Sequence, residues 1–389
     1  MANLERNRSW KQLFQEHGSK FFDWLETNSI RLKKFNELSE NLDNYLFNFV
    51  LCNKSYSGER EVCDLFASNL PRVLKECDNP DIYNEPLVAD AYAYIHLLDR
   101  YRRFWDVLVE ITRGNILPMR DRGIDVLDIG TGPAPVLYAV SDFYNALNDY
   151  AIQHCTSLKT PLPQLDCVES SSAMIRVACI ISELSLRKNG PYDTIFKVSD
   201  GSNLSFDDLN LSNERIVLRD GFIRQLADED GMSERGARRW AHEQEPFWKD
   251  RFRYNLIIFS NFLTQPERVY SWKEELRITF KNLRVGGVII VVGATEGRYP
   301  KIYKMVEELA HQAGIKRMNQ IRETIPCDYT NEYALRIKES YNRIWRRLEE
   351  CAKNLKEVKG HLSRDVWSSD VPLTGPKQFS LRVFRKGKL

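Results

Sequence analysis

The fold of this chain is decided by one stretch, Val126-Leu127-Asp128-Ile129-Gly130-Thr131-Gly132-Pro133-Ala134-Pro135. A run that is mostly apolar carries an acid near its end, two glycines follow at alternate positions, and a helix-compatible segment begins just beyond. A short apolar run is typical of a buried parallel strand, and glycines at its exit let a ligand approach the backbone closely. The stretch therefore predicts a strand, a glycine turn and a helix start that together form a nucleotide-type binding site.

The chain downstream repeats this alternation of strands and helices. After the first strand, at residues 125–129, further strands are expected at residues 164–169, 194–198, 255–259, 288–292 and 379–384. The second strand ends on Glu169, and the third is followed by Asp200. Successive strands with helices between them predict an α/β fold with a doubly wound, mostly parallel sheet. The late strand follows a helical insertion and is expected to close the sheet edge in the antiparallel direction.

The organisation expected for the whole chain has three parts. These are a helical N-terminal extension at residues 1–79, a helix with its linker at 80–122, and a Rossmann-like domain at 123–389 with insertions near 202–253 and 327–377. Within the extension, helical periodicity runs from about residue 10 to 74, with breaks expected at Ser57-Gly58 and at Pro71.

The segment from Ala89 to Ile111 has a strong helical pattern in which aromatic residues interleave with Arg100, Arg102 and Arg103. One interpretation is an amphipathic helix whose arginines extend their charged ends to solvent. The alternative places this helix over the binding pocket, because the chain leads from it directly into the first strand.

Composition excludes few functions. The 389 residues are 43% hydrophobic and 28% charged, with a formal net charge of +2, which gives no overall electrostatic argument for a nucleic-acid partner. No apolar run approaches the roughly 20 residues that span a bilayer, so no membrane partner is predicted, and the N-terminus lacks the apolar core of a signal peptide.

Eight cysteines are scattered along the chain without a C-x-x-C pair, so no metal site is predicted. Most of them lie among apolar residues, where a free cysteine packs as a small hydrophobe. A reducing, cytoplasmic compartment is therefore expected.

Taken in order, the strand ends resemble the class I family of S-adenosylmethionine (SAM)-dependent methyltransferases over roughly residues 125–384. Residues 126–135 are similar to the first motif of the family, and Glu169 with the following helix is similar to its second strand end. The segments Ser260-Asn261-Phe262-Leu263 and Leu283-Arg284-Val285-Gly286-Gly287 resemble the rim of the fourth strand and the turn before the fifth. The resemblance implies a seven-strand-type sheet and SAM as the methyl donor.

The resemblance also implies a set of donor-binding residues, each with a physical role. Gly130 and Gly132 would let backbone N–H groups approach the methionine end of SAM, and Asp128 would hold its positive amino group. Glu169 suits the two ribose hydroxyls, and Met174 offers a polarizable contact to adenine. The full predicted cofactor-binding set is Asp128, Gly130, Thr131, Gly132, Pro133, Glu169, Ser170, Met174, Asp200, Gly201, Ser260 and Asn261.

The rival interpretation is a dinucleotide-binding unit, whose G-x-G-x-x-G pattern also ends with an acid on the second strand. Counted from Gly130, the third glycine of that pattern is replaced by Pro135, a poor substitute where helix and strand pack closely around a pyrophosphate. Asp128 before the first glycine also favours SAM. Ala134 stands where methyltransferases often have a further glycine, and it is small enough for the loop to survive.

The sequence indicates the methyl acceptor much less clearly than the methyl donor. His242 is the most plausible general base, and Asn261 follows a central strand, so both are candidate catalytic residues, although an exposed His242 and a loop-capping Asn261 remain alternatives. The basic cluster Arg235, Arg238 and Arg239 with Trp240 would suit an anionic or nucleotide acceptor, or be a solvated helix face.

We expect direct displacement of the methyl group, which depends mainly on positioning and desolvation and requires neither a metal nor a covalent nucleophile. A small-molecule acceptor is favoured. An RNA or protein acceptor and a non-catalytic SAM-binding module are the alternatives.

Overall fold

A computed structural model of the chain describes residues 10–52, 59–76, 79–119, 124–154, 163–189, 193–198, 254–281, 283–327, 332–356, 358, 367–368, 371–372 and 378–387, together with Ser233 and Gly236. The insertion predicted near residues 202–253 lies almost entirely outside these ranges.

Helices make up the described N-terminal part of the chain. They are α1 (Trp10–Thr27), α2 (Ile30–Tyr45), a π-helical segment (Leu46–Leu51), α3 (Glu59–Lys75), a 3₁₀ helix (Pro80–Asn84) and α4 (Val88–Arg113). The predicted break at Pro71 is wrong, because Pro71 lies inside α3. A proline removes one helical hydrogen bond, but the buried face of α3, which includes Phe66 and Leu70, packs against α4 and keeps the helix continuous.

Strands and helices then alternate. The first group is β1 (Asp125–Ile129), α5 (Pro135–His154), β2 (Gln164–Glu169), α6 (Ser172–Asn189), β3 (Asp193–Val198), β4 (Leu256–Ser260), α7 (Pro266–Ser271), α8 (Lys273–Lys281), β5 (Val288–Gly293) and α9 (Tyr299–Gln312). The remaining elements are β6 (Ile315–Arg317), β7 (Thr324–Pro326), α10 (Glu332–Cys351), β8 (Trp367–Ser368), β9 (Val371–Pro372) and β10 (Gln378–Lys386).

The main sheet confirms the predicted fold class. Its strand order is β3-β2-β1-β4-β5-β10-β6, and β7 also pairs with β10. The first five strands of this order run parallel, and β10 is antiparallel to β5, β6 and β7. The short strands β6 and β7 were not predicted. Strands β8 and β9 form a separate two-stranded sheet.

The sheet is buried on both faces, which explains why its central strands read as continuous apolar runs. Along β1, Val126 belongs to one hydrophobic cluster and Leu127 to the other, and the same alternation continues at Ile257 and Ile258 of β4. The first cluster includes residues of α1 to α6 and α10, and the second includes residues of α7, α8 and α9. The sheet is therefore doubly wound.

Helix α4 joins the N-terminal helices to the sheet layer. It packs against α5 on one side and α3 on another, and Tyr101 donates a hydrogen bond of 2.8 Å to the buried Asp142 of α5. Arg102 and Arg103 are buried, with Arg103 paired to Asp99. Solvent-reaching arginines were thus the wrong interpretation for these two residues.

The structure contains a disulfide between distant helices that the cysteine spacing did not predict. Cys63 of α3 and Cys351 of α10 form a disulfide, 288 residues apart in sequence. The expectation that cysteines pack as free thiols holds for the buried Cys167 and fails for this pair. The link fastens the helical extension to the region that follows β7.

Within the part of the chain that the structure describes, none of the helices has the length and apolar character needed to cross a bilayer.

Candidate functional site

A cleft opens at the carboxyl ends of β1 and β4. The chain turns from β1 towards β2 and β3 on one side, while β4 and β5 extend the sheet on the other, so the strand order reverses between β1 and β4. Ligands of open α/β sheets bind in the crevice at such a switch point. The cleft contains about 770 Å³ of empty space when its open mouth is counted.

Six residues of the predicted binding set line the cleft, and other residues join them from the helices above and from the β4 and β5 ends. The lining residues are Tyr83, Tyr92, Arg100, Gly130, Gly132, Glu169, Ser170, Met174, Asn261, Phe262, Thr264, Arg268 and Tyr299. The predicted Asp128, Thr131, Pro133 and Ser260 lie next to these residues without forming the wall.

Gly130 begins the turn after β1 with a left-handed φ of +71°. A Cβ atom on this residue would lie 2.0 Å from the Phe262 ring, so only glycine fits beneath that ring. Its N–H donates to the Val168 carbonyl oxygen at 2.8 Å. The Gly130 N–H is therefore engaged with β2 in this structure, and the space that glycine provides is filled by Phe262.

The turn continues through Gly132 and Ala134, whose φ values are +57° and +62°. The Ala134 N–H donates to the Thr131 carbonyl oxygen at 3.0 Å and closes the turn. A left-handed alanine is uncommon, and glycine would adopt this conformation without strain. Helix α5 then begins at Pro135, a residue type favoured at the first helical position.

Asp128 lies buried under this turn, 1% exposed. Its Oδ2 accepts a hydrogen bond of 2.7 Å from the Thr131 hydroxyl, and its Oδ1 has no hydrogen-bond partner among the described residues. Burial raises the pKa of Asp128 to about 7, the Thr131 hydrogen bond opposes that rise, and the charge of Glu169 adds to it. An unpartnered carboxylate oxygen of this kind fits a cationic hydrogen-bond donor.

Glu169 ends β2 and reaches across the glycine turn. Its Oε2 accepts from the Gly132 N–H at 2.9 Å, and its Oε1 accepts from the N–H groups of Ser170 and Ser171 at 2.8 and 3.1 Å. Oε1 also accepts from the Ser170 hydroxyl at 3.1 Å. The carboxylate thus ties the β1 and β2 turns together. Oε2 accepts one of these bonds and retains acceptor capacity towards the cleft.

The first turn of α6 is joined to the 3₁₀ helix above the cleft by Ser171. Its hydroxyl oxygen accepts from the Met174 N–H at 3.2 Å, as expected of a residue that caps a helix. The same hydroxyl donates to the Tyr83 carbonyl oxygen at 2.9 Å. This link places Tyr83 and Met174 on the same wall of the cleft.

Helix α4 lies over the cleft, as the second interpretation of its sequence predicted. Tyr92 and Arg100 line the wall, and the Arg100 guanidinium carbon lies 4.9 Å from the centre of the Tyr92 ring. His96 lies between them on the same helical face and contacts the Tyr92 ring at 4.7 Å between centres. Burial lowers the pKa of His96 well below its ordinary value, and the charges of Arg100 and Arg103 act in the same direction.

The rim after β4 begins with Ser260 and Asn261. Asn261 has a left-handed φ of +56°, which asparagine tolerates better than most residues. Its N–H donates to the Val292 carbonyl oxygen at 2.9 Å, and its side-chain amide donates to the Ser260 hydroxyl at 3.4 Å. Asn261 therefore fixes the rim against β5 and also lines the cleft.

Aromatic rings form the wall beyond this rim. Phe262 and Trp272 stack with their ring centres 4.8 Å apart. The Arg268 guanidinium carbon lies 5.9 Å from the Phe262 centre and 5.8 Å from the Trp272 centre, within cation–π range. The buried Thr264 hydroxyl has no hydrogen-bond partner among the described residues.

Several predicted residues lie outside the described ranges, so their positions stay predictions. They are Asp200, Gly201, the candidate base His242, and the cluster Arg235, Arg238, Arg239 and Trp240. Sequence reasoning missed Tyr83, Thr264, Arg268 and Tyr299 as cleft residues. Only their positions in the sequence could have indicated them, since Thr264 and Arg268 follow β4 and Tyr299 follows β5.

No family model and no curated protein matches this chain. Among solved structures, it is similar to the cyclase SpnF, with 12% identity, a TM-score of 0.35 and coverage of 73% of this chain and 80% of that one. A phosphoethanolamine N-methyltransferase of Haemonchus contortus, solved with phosphomonomethylethanolamine and S-adenosylhomocysteine, has 13% identity, a TM-score of 0.35 and coverage of 79% and 60%.

A SAM-dependent methyltransferase of Thiobacillus denitrificans with S-adenosylhomocysteine has 13% identity, a TM-score of 0.32 and coverage of 72% and 89%. Similarities at this level assign neither an activity nor an acceptor to this chain.

Proposed function

We propose that this protein is a SAM-dependent methyltransferase that acts on a small molecule. The observation that carries the proposal is Asp128, a buried carboxylate with one unpartnered oxygen, placed under a left-handed glycine turn at the switch point of the sheet. The amino group of SAM is a cationic donor of the kind that this oxygen lacks.

The other cleft residues fit the remaining parts of SAM. Glu169 would accept the ribose hydroxyls through the capacity left on Oε2, and Met174 would contact the adenine ring. Arg100, held over Tyr92 beside the glycine turn, would pair with the α-carboxylate of the donor. Pro135 at the start of α5 supports SAM over a dinucleotide, because the third glycine of the dinucleotide pattern is absent.

SAM supplies an electrophilic methyl group when it is bound, and the protein contributes position and a dry environment. Phe262 covers the glycine turn, and its stacking on Trp272 fixes the ring in place. Helix α4 and the 3₁₀ helix also line the cleft, through Tyr92 and Tyr83, whose rings contact each other with centres 5.2 Å apart. Excluding water and holding two reactants in line are the main sources of rate in a direct displacement.

The cover over the cleft favours a small acceptor. Tyr83 of the 3₁₀ helix and Tyr92 and Arg100 of α4 line the cleft together with the glycine turn. An RNA or protein acceptor would have to present its reacting group between these side chains.

Incubation with methyl-labelled SAM and a fractionated cell extract tests the proposal. We expect label in the small-molecule fraction with the wild-type protein and at least about a tenfold loss with Asp128→Asn, because one charge-assisted hydrogen bond is lost. Label in RNA or protein would overturn the choice of acceptor. Tight SAM binding without label in any fraction would indicate a binding module.

A further inference from the structure

On the basis of the proposed function, we infer that the acceptor is an anionic small molecule whose carboxylate or phosphate group binds Arg268 and Thr264. The inference begins with the charges that the described residues place on the cleft wall: two guanidinium groups, from Arg100 and Arg268, and one carboxylate, from Glu169.

Neither arginine has a carboxylate partner among the described residues. Each is held instead by aromatic faces, Arg100 by Tyr92 and Arg268 by Phe262 and Trp272. A guanidinium group presents a planar fork of donors that matches carboxylate and phosphate oxygens. A cation–π contact uses none of the N–H groups as hydrogen-bond donors, so they stay available to a ligand.

The positions of the two arginines separate their roles. Arg100 lies with Tyr92, whose ring approaches Gly132 of the β1 turn, and this is the donor side. Arg268 lies in α7, four residues after Thr264, and its guanidinium carbon is 5.9 Å from the centre of the Phe262 ring. Arg100 contacts Tyr92, whereas Arg268 contacts Phe262 and Trp272 on the segment that follows β4, so the two guanidinium groups are assigned to different ligands.

The charges of the ligands lead to the same assignment. SAM carries a sulfonium, an ammonium and one carboxylate, so its net charge is positive. Its single carboxylate neutralises one arginine, and the Glu169 carboxylate is already bonded to the backbone N–H groups of its own turns. A second anion lowers the energy of the filled cleft, and the acceptor is the molecule that can bring it.

Thr264 supplies an independent observation on the same wall. Its hydroxyl oxygen is buried and has no partner in the described ranges, a state that is costly unless a ligand completes it. A hydroxyl donor and a guanidinium fork that line the same cleft are a suitable pair for one anionic group. The β4 wall thus provides both a charge and a neutral donor for the acceptor.

The test compares Arg268→Met, Arg268→Lys and a matched control, Arg277→Met, which removes an exposed arginine paired with Glu274 on α8, away from the cleft. Each protein is given methyl-labelled SAM and the small-molecule fraction of a cell extract, and the labelled products are separated by anion exchange before and after phosphatase treatment. Affinity for S-adenosylhomocysteine is measured in parallel by calorimetry.

We expect label in anion-retained products, at least about a tenfold loss of transfer in Arg268→Met, partial recovery in Arg268→Lys, and no change in Arg277→Met. Affinity for S-adenosylhomocysteine should stay within about twofold in all three variants. Loss of retention after phosphatase identifies a phosphate, and retained label identifies a carboxylate. Inorganic phosphate or benzoate should inhibit in competition with the acceptor fraction and not with SAM.

Label in neutral or cationic products would overturn the inference, as would label in nuclease-sensitive RNA or equal losses in Arg268→Met and Arg277→Met. A drop in S-adenosylhomocysteine affinity that matches the loss of transfer in Arg268→Met would move Arg268 to the donor side and also overturn it. Failure of the wild-type protein to bind S-adenosylhomocysteine refutes the proposed function instead, so the two failures are distinguishable.

Discussion

In an Asp128→Asn variant, the side chain under the glycine turn loses its charge but keeps its shape and its acceptor for the Thr131 hydroxyl. In the wild type, burial raises the pKa of Asp128 to about 7, so the carboxyl group is partly protonated near neutral pH. A bound ammonium group favours the ionised form. Ligand binding should therefore select the ionised form and release a proton below pH 7.

The size of this effect follows from the fraction ionised. With a pKa of about 7, about one tenth of the molecules carry the Asp128 charge at pH 6 and about nine tenths carry it at pH 8. If only the ionised form binds the amino group, the affinity for S-adenosylhomocysteine rises about tenfold between these pH values. Calorimetry at pH 6, 7 and 8 measures this rise, and Asp128→Asn should bind weakly without it.

Stability should change in the opposite direction with pH. Because the folded-state pKa lies above the ordinary aspartate value of 3.8, folding favours the protonated form, and the free energy of unfolding falls as the pH rises from 3.8 towards 7. The full cost of the buried charge is about 4 kcal/mol, of which about 2 kcal/mol falls between pH 5.5 and pH 8. Urea denaturation of Asp128→Asn should lack this contribution and show higher stability at pH 8.

Asp142 provides the matched control. It is also buried, its pKa is also raised to about 7 by burial, and it accepts from Tyr101 away from the cleft. Asp142→Asn should therefore reproduce the gain in stability at pH 8 but leave the ligand affinity and its pH dependence unchanged. The same pH dependence of affinity in wild type and Asp128→Asn would refute the assigned role of Asp128.

Three further changes have defined outcomes. Gly130→Ala should lower the free energy of unfolding in urea denaturation by about 1–3 kcal/mol, because the added Cβ meets the Phe262 ring. Adding Phe262→Ala should restore the part of this loss that comes from overpacking, but not the part that comes from the strain of a left-handed alanine. Full recovery of stability in the double variant would contradict this. Glu169→Gln should weaken S-adenosylhomocysteine binding about tenfold in calorimetry, since an amide nitrogen cannot accept the N–H bonds that hold this side chain; unchanged affinity would contradict the ribose role. Replacing both Cys63 and Cys351 by serine should lower the free energy of unfolding by about 2–4 kcal/mol. Ligand affinity should stay unchanged, because the disulfide joins α3 to α10. A loss of affinity would show that the disulfide shapes the cleft.

The sequence was most informative where local backbone demands are strict. Residues 125–129 and 164–169 were predicted as strands with the bounds that the structure shows, because strands buried on both faces are rich in apolar residues. The glycine turn could also be predicted from the sequence, since the left-handed backbone at Gly130 and Gly132 restricts the residue type.

Features created by tertiary packing could not be predicted from the sequence. Strands β6 and β7 have three residues each, too few for a periodic pattern. The Cys63–Cys351 link joins helices 288 residues apart, and nothing in the local spacing indicates it. Arg268 follows an ordinary proline at a helix start, and only the packing of α7 beside Phe262 brings it to the cleft.

Equilibrium binding of SAM and of NAD to the wild-type protein at pH 8 tests the central claim most directly. Asp128, the glycine turn and Pro135 predict saturable, one-to-one binding of SAM with little binding of NAD, and a marked loss of SAM affinity in Asp128→Asn. Tight binding of NAD, or no binding of SAM, would contradict the assignment of this cleft to a methyl donor.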